Sequence, residues 1–236
     1  MENYNERIDK IIASTGIMSR KEVKKAAKER RILLNGNVVK DCGVKAKGSD
    51  TLTLDGEIIE YKEFTYIMLN KPKGYVCSTD DPSSPIVNEL LSPKLQRLEL
   101  FSIGRLDKNT TGLVILTNDG ALAHQLLSPA KHVSKTYIFE TKLPLKEEYI
   151  TSFKNGIILE DGTKCRPAIL DILGENCGKV TIHEGKFHQI KRMFEAVGNK
   201  IVSLERLSIG TVTLDKALNY ADFRDLTKEE ISALKG

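Results

Sequence analysis

The chain has 236 residues, with 36 Lys and Arg against 32 Asp and Glu, a formal net charge of +4, and 40% hydrophobic residues. That composition suits a single large domain or a small domain beside a medium one. No run approaches the roughly 18 uncharged apolar residues a membrane helix needs. The opening Met1-Glu2-Asn3-Tyr4-Asn5-Glu6 is acidic and polar and lacks the marks of a signal or transit peptide, so a cytoplasmic protein without a membrane partner is expected. Cys42, Cys77, Cys165 and Cys177 form no Cys-x-x-Cys pair, and His183 and His188 lie five apart. Neither set has metal-ligand spacing, so reduced thiols and no metal are expected.

In chain order, Ile8, Ile11 and Ile12 fall on one helical face, and Gly16 punctuates it. Ser19 and Glu22 form a capping box that opens a second helix, whose narrow apolar face is Val23, Ala26 and Ala27. Its other positions are basic: Arg20, Lys21, Lys24, Lys25, Lys28, Arg30 and Arg31 stand against Glu22 and Glu29. Positive charge gathered on one element is the footprint of phosphate contacts, although an isolated basic helix is more often a solvated face. Two hairpin signals follow, Asn35-Gly36 and Asp55-Gly56, each between β-rich arms, because both central residues of a type I′ turn need positive φ.

Two short helices, the second basic, followed by these hairpins resemble the S4-like (αL) RNA-binding domain. The resemblance rests on Arg7-Ile8-Asp9-Lys10, Gly16, Ser19-Arg20-Lys21-Glu22 and Arg31-Ile32-Leu33-Leu34-Asn35-Gly36. It implies that residues 1–60 form an RNA-binding domain whose basic helix lies against structured RNA, reading shape and backbone more than sequence. Residues 61–64 read as a short connection, and 65–236 as a second domain.

That second part is expected to carry strands over Tyr66–Leu69, Leu113–Leu116, Thr136–Phe139, Ala168–Ile172, Val180–Ile182 and Val202–Ile209. Leu113-Val114-Ile115-Leu116 is continuously apolar, as for a strand buried on both faces. Helices are expected over Asp119–Leu127, over His188–Val197 with Gly198 as its stop, and from the Thr227-Lys228-Glu229-Glu230 capping box onward. Strands interleaved with few helices indicate an α+β fold with a mixed, largely antiparallel sheet.

The charged, glycine-bounded segment Gly104-Arg105-Leu106-Asp107-Lys108-Asn109-Thr110-Thr111-Gly112 runs directly into the buried strand. Such a loop can present a side chain from a rigid scaffold. Asp before Lys-Asn-Thr is equally good turn chemistry, so the pattern alone leaves both readings open.

This segment resembles the signature of the RsuA-type pseudouridine synthases, Gly-Arg-Leu-Asp followed by Thr-Thr-Gly-Leu. Other stretches resemble that family in the same order: Asn70-Lys71-Pro72-Lys73-Gly74, Thr117-Asn118-Asp119-Gly120, Lys135-Thr136-Tyr137, Glu184 to Phe194, and Leu204 with Arg206 and Ile209-Gly210. With the front domain, the resemblance spans essentially the whole chain. It implies an isomerase that breaks the C1′–N1 bond of a uridine, turns the uracil and rebonds C1′ to C5. Such chemistry needs neither redox cofactor nor ATP, and no glycine-rich cofactor fingerprint or Walker loop is visible.

By motif position the resemblance implies Asp107 as the catalytic carboxylate. It either attacks C1′ or removes a ribose proton to give a glycal-like intermediate, and the residues do not choose between these. A carboxylate kept ionised in a partly dry pocket calls for a nearby cation, and the motif position is that of Lys191, with Arg192 second. Tyr137 matches the family's active-site tyrosine and would hold the flipped base. Leu204 would pack against that base, and Arg105 would bind phosphate or the flipped backbone. Gly185-Lys186-Phe187-His188-Gln189-Ile190-Lys191-Arg192, with Leu127-Ser128-Pro129 upstream, resembles the small-subunit type, which makes 16S rRNA the expected substrate. A monomer is expected. The same reaction on 23S rRNA, and a non-catalytic RNA-binding or ribosome-assembly protein on the same scaffold, remain alternatives.

Overall fold

The computed structural model describes residues 4–78, 80–128 and 131–236. Met1, Glu2 and Asn3 of the polar opening segment, and Pro129 of Leu127-Ser128-Pro129, lie outside the described residues. The chain forms two compact units. One takes in the residues up to Thr65 together with Leu91–Leu100, and the other takes in Tyr66–Leu90 and Phe101–Gly236.

In the first unit, β1 (Asn5–Arg7) leads into α1 (Ile8–Ser14), and α2 (Arg20–Lys28) follows. Both halves of the Ser19/Glu22 capping box form, which satisfies two amides that the helix itself leaves without partners. Ile8, Ile11, Ile12, Val23, Ala26 and Ala27 are buried in one core with Ile32, Leu52 and Leu54, so the narrow apolar face is what fixes α2. β2 (Ile32–Leu34), β3 (Asn37–Val38), β5 (Leu52–Leu54) and β6 (Glu57–Ile58) form a four-stranded sheet in the order β3-β2-β5-β6, while β4 (Lys45–Lys47) pairs with β1. Asn35 and Gly36 (φ 51° and 80°), like Asp55 and Gly56 (φ 52° and 87°), adopt the positive φ values their hairpins require. Gly16 (φ 74°) has a second constraint, since a Cβ there would lie 2.2 Å from the Lys94 carbonyl oxygen.

The second unit is built on β7 (Tyr66–Lys71), β8 (Phe101–Ile103), β9 (Thr111–Thr117), β10 (Lys135–Thr141), β11 (Ile169–Ile172), β12 (Cys177–Ile182), β13 (Ile201–Ile209), β14 (Val212–Thr213) and β15 (Phe223–Asp225). Its sheet runs β11-β12-β10-β13-β9-β7-β15, with β14 against β13 and β8 against β9. The pairing of β9 with β13 is parallel, Thr111 opposite Glu205 and Gly112 opposite Arg206, within an otherwise antiparallel sheet. All seven residues of β9 are buried, as its unbroken apolar run predicts for a central strand.

α3 (Pro93–Gln96) belongs to the first unit; α4 (Gly120–Leu127), α5 (Glu148–Asn155), α6 (Gln189–Ala196) and α7 (Lys228–Lys235) belong to the second. Asp119 caps α4 through the Leu122 amide and accepts a buried hydrogen bond from the Tyr66 hydroxyl at 2.7 Å. Phe194 of α6 packs between Phe139 of β10 and Phe153 of α5, with ring centroids 4.7 and 5.0 Å away. This anchor sets which way the remaining faces of α6 point. Among the described residues, no helix is long and apolar enough to cross a membrane.

Candidate active site

β8 and β9 form a hairpin whose tip is residues 104–110, with Asp107 at its head. The Thr110 amide donates to the Asp107 carbonyl at 3.0 Å, closing a turn, and the Gly74 amide donates to the Lys108 carbonyl at 2.9 Å. Two buried cations fasten the tip from beneath. Lys71, with no exposed surface, donates from Nζ to the carbonyls of Thr110 (2.8 Å), Pro72 (3.0 Å) and Lys108 (3.3 Å). Burial pushes the Lys71 ammonium down to about 8, against a smaller opposing pull from the Cys77 and Asp107 side. Arg206 donates from Nε to the Leu113 carbonyl (2.8 Å) and from Nη2 to the Gly104 carbonyl (3.4 Å). Together they supply hydrogen bonds to the carbonyls of Gly104, Thr110 and Leu113, and a second one to that of Lys108.

α6 presents Lys191 to this tip. Its Nζ lies 2.7 Å from Asp107 Oδ2, and the two side chains are equally exposed, 28% each. With Phe194 held in the aromatic cluster and Ile190 and Met193 buried, Lys191 faces the carboxylate. Arg192, one position on, turns elsewhere and meets Asp161 at 2.5 Å. The Asp161 carboxyl is held at about 2, first by the amide and hydroxyl of Thr163 and then by Arg192. At the start of α6, His188 adopts a left-handed backbone (φ 48°) and places Nε2 3.6 Å from Asp107 Oδ1.

Tyr137 from β10 and Leu204 from β13, both nearly buried, border the same cleft as Asp107, Lys191 and Arg105. Five of the residues singled out in the sequence therefore converge on one cavity, and Arg192 does not line it. The basic residues of the first unit divide in a similar way. Arg20, Lys21, Lys24, Lys25, Lys28 and Arg30 are exposed. Arg31 is half-buried, its guanidinium fork closed on Asp55 at 2.7 and 2.6 Å with Glu29 at 3.2 Å.

Three groups around Asp107 carry no role in the sequence reading. Lys71 and Arg206 lie within motifs whose resemblance was noted, and the available signal was a charge at an inward-facing strand position. His188 was weighed only as a metal ligand. Among the described residues there is no group of three or more His, Cys, Asp and Glu side chains placed to hold a metal ion.

A family model described as RNA pseudouridylate synthase matches residues 65–196, which include Asp107, Tyr137 and Lys191. The chain belongs to the RNA pseudouridylate synthase family. An S4 domain model matches residues 6–52, so this synthase carries an S4 domain ahead of its catalytic part. It is 44% identical to an uncharacterized RNA pseudouridine synthase of Bacillus subtilis, over 97% of this chain and 98% of the relative. It is 40% identical to the ribosomal small subunit pseudouridine synthase A of Haemophilus influenzae and 39% identical to that of Escherichia coli K12, each over 97% of this chain and 99% of the relative. A pseudouridylate synthase crystal structure superposes with a TM-score of 0.70 at 40% identity, covering 97% of this chain and 99% of that one. The synthase is thus an isomerase in which an S4 domain and a mixed, mostly antiparallel catalytic sheet are joined in one chain.

Proposed function

We propose that this synthase converts one uridine of 16S ribosomal RNA to pseudouridine, with Asp107 as the reacting carboxylate. The observation that carries the reading is the 2.7 Å pairing of Lys191 with Asp107 at the head of a fastened hairpin, in a cleft walled by Tyr137 and Leu204. Small-subunit RNA is favoured by the full-length relatives named for that substrate. In this reading residues 1–60 dock structured RNA through the exposed basic side chains of α2, residues 61–64 connect, and residues 65–236 carry the chemistry. The protein works as a monomer in the cytoplasm.

Lys191 occupies Oδ2, which leaves Oδ1 to face the substrate. The uridine leaves its stack, and its base lies between Tyr137 and Leu204. In the nucleophilic route Oδ1 bonds to C1′ as the C1′–N1 bond breaks, and the electron pair departs on uracil N1. The uracil turns, C5 bonds to C1′ as the carboxylate is expelled, and loss of the C5 proton with protonation of N1 completes the isomer. In the glycal route Asp107 instead takes a ribose proton as the C1′–N1 bond breaks and uracil leaves, and returns it to the sugar when C5 bonds to C1′. Arg105 holds the flipped nucleotide's phosphate, and Arg192, tied to Asp161, supports the rim.

Tritium release from C5-labelled uridine in 16S rRNA measures the reaction, and Asp107→Asn is expected to abolish it while rRNA binding persists. Full activity in that variant would refute the role given to Asp107. Pseudouridine mapping in a deletion strain locates the target. Loss of a 23S site instead would overturn the small-subunit reading, and salt-sensitive binding with no isomerisation on any rRNA would mark a non-catalytic binder.

A further inference from the structure

Phe187 is 74% exposed, although it lies between two residues, Lys186 and His188, that border the Asp107 cleft. Single exposed apolar side chains are ordinary on protein surfaces. This one is held in a specific way. Its ring stacks on His188 with centroids 3.8 Å apart and planes 18° from parallel. His188 reaches that position only through a left-handed backbone, a conformation that costs a non-glycine residue free energy. Because most of the Phe187 surface remains in water, burial of that ring does not offset the strain.

The loop around it is braced. The Lys186 amide donates to Gln189 Oε1 at 2.9 Å, and Gln189 Nε2 donates to Glu184 Oε1 at 2.8 Å. The ring is therefore backed on one face by an imidazole that itself stands 3.6 Å from Asp107, while most of its surface is exposed. A flat aromatic face beside a cleft is suited to a nucleobase, since every base offers a π-face and stacking needs no particular hydrogen-bonding edge. A uridine turned into the cleft leaves its former neighbours without a stacking partner, and Phe187 stands where one of them can find a substitute.

We propose that Phe187, seated on His188 at the rim of the Asp107 cleft, is a stacking platform for a nucleobase flanking the target uridine. The assignment rests on the reading of the cleft as a uridine site in rRNA. The platform lowers the cost of flipping by replacing lost base–base stacking with base–aromatic stacking.

The test uses the full chain and 16S rRNA, both naked and assembled with small-subunit proteins. Phe187→Ala and Phe187→Leu are expected to lose about 5- to 150-fold in kcat/KM, the range of one base–aromatic stack, with melting temperatures unchanged. Phe187→Trp is expected to retain activity. The natural chain has no tryptophan, so the indole introduced by that substitution is an isolated fluorescent reporter. Quenching of its emission on adding 16S rRNA is the expected result. Wild-type rates for Phe187→Leu, or no quenching, would overturn the platform. Loss of activity only on the protein-bearing particle would also overturn it, since the ring would then meet a protein. If the wild type is inactive on 16S rRNA, the substrate reading fails separately, and the same variants tested on 23S rRNA support or overturn the platform by the same outcomes.

Discussion

Gly112 sits where β9 runs parallel to β13, directly opposite Arg206. Its φ is 97°, and a Cβ there would lie 2.4 Å from the Arg206 carbonyl oxygen and 2.7 Å from the Arg206 nitrogen. Replacing Gly112 by Ala therefore incurs two separable penalties. Positive φ costs an L-residue about 1–2 kcal/mol, and forcing backbone apart in a packed core adds about 1–3 kcal/mol. The sum, about 2–5 kcal/mol, corresponds to a fall in Tm of about 4–20 °C for a chain of this size. Gly74→Ala is the matched control. Its φ is 92°, but nothing lies within 4 Å of the added Cβ, so only the first penalty applies and the expected fall is about 2–8 °C. Thermal and urea melts of the two variants isolate the steric part, and tritium release shows whether displacing Arg206 disturbs the site. If Gly112→Ala melts no lower than Gly74→Ala, the close approach of β13 is not rigid and the reasoning fails.

Lys191→Met is expected to reduce kcat about 10²- to 10³-fold, the scale of losing one preorganised charge partner, with rRNA affinity little changed; a loss of affinity at constant kcat would make Lys191 a backbone contact. Lys24→Ala and Lys28→Ala should each flatten the plot of log affinity against log salt by just under about one unit. Arg31→Ala should leave that slope alone and instead weaken the Asp55 hairpin slightly, because its fork is already occupied; equal slope changes in all three variants would refute this division. Lys71 is held at about 8 in the folded chain, below its unfolded value of ~10.4. Between those values the unfolded chain binds the proton and the folded chain does not. Stability relative to Lys71→Met should therefore rise with pH across that window, by up to about 3 kcal/mol; urea denaturation at pH 7.5 and 10 measures it, and a flat difference would refute it.

Several local signals rest on one or two residues with strong preferences and are legible in the sequence. The Ser19/Glu22 and Thr227/Glu230 boxes start α2 and α7, and both hairpins turn at the residues whose φ is positive. Some elements lacking such residues leave no local signal. α5 has no side-chain cap and only Tyr149 and Phe153 buried, too sparse for a periodic stripe. β15 is three residues long and owes its existence to pairing with β7, which no local pattern encodes. The site shows the same contrast. Asp107 and Lys191, 84 positions apart, were linked through family resemblance, since spacing in the chain carries no information about that distance. The resemblance ranks Lys191 ahead of Arg192, and the packing of Phe194, which fixes the rotation of α6, accounts for their different partners.

The turn that Asp107 closes does not exclude the catalytic role proposed for it. Its carbonyl accepts the Thr110 amide in a closed turn, while its carboxylate faces Lys191. On the function proposed for it, this carboxylate must meet the ribose of the substrate, and it gains from a backbone that cannot drift, whereas a hairpin tip by itself is among the softer places in a fold. Lys71 and Arg206 resolve that conflict. Burying a charge costs several kcal/mol, and an apolar residue of similar volume often does as well for stability. The apolar substitute, however, would leave the carbonyls of Gly104, Lys108, Thr110 and Leu113 without these donors. Each cation binds backbone on more than one segment, so it fixes the tip relative to β7 or β13 as well as satisfying it. The cost of two buried charges is thus tied to the position of one carboxylate, and the loop can be both well formed as a turn and rigid enough for chemistry.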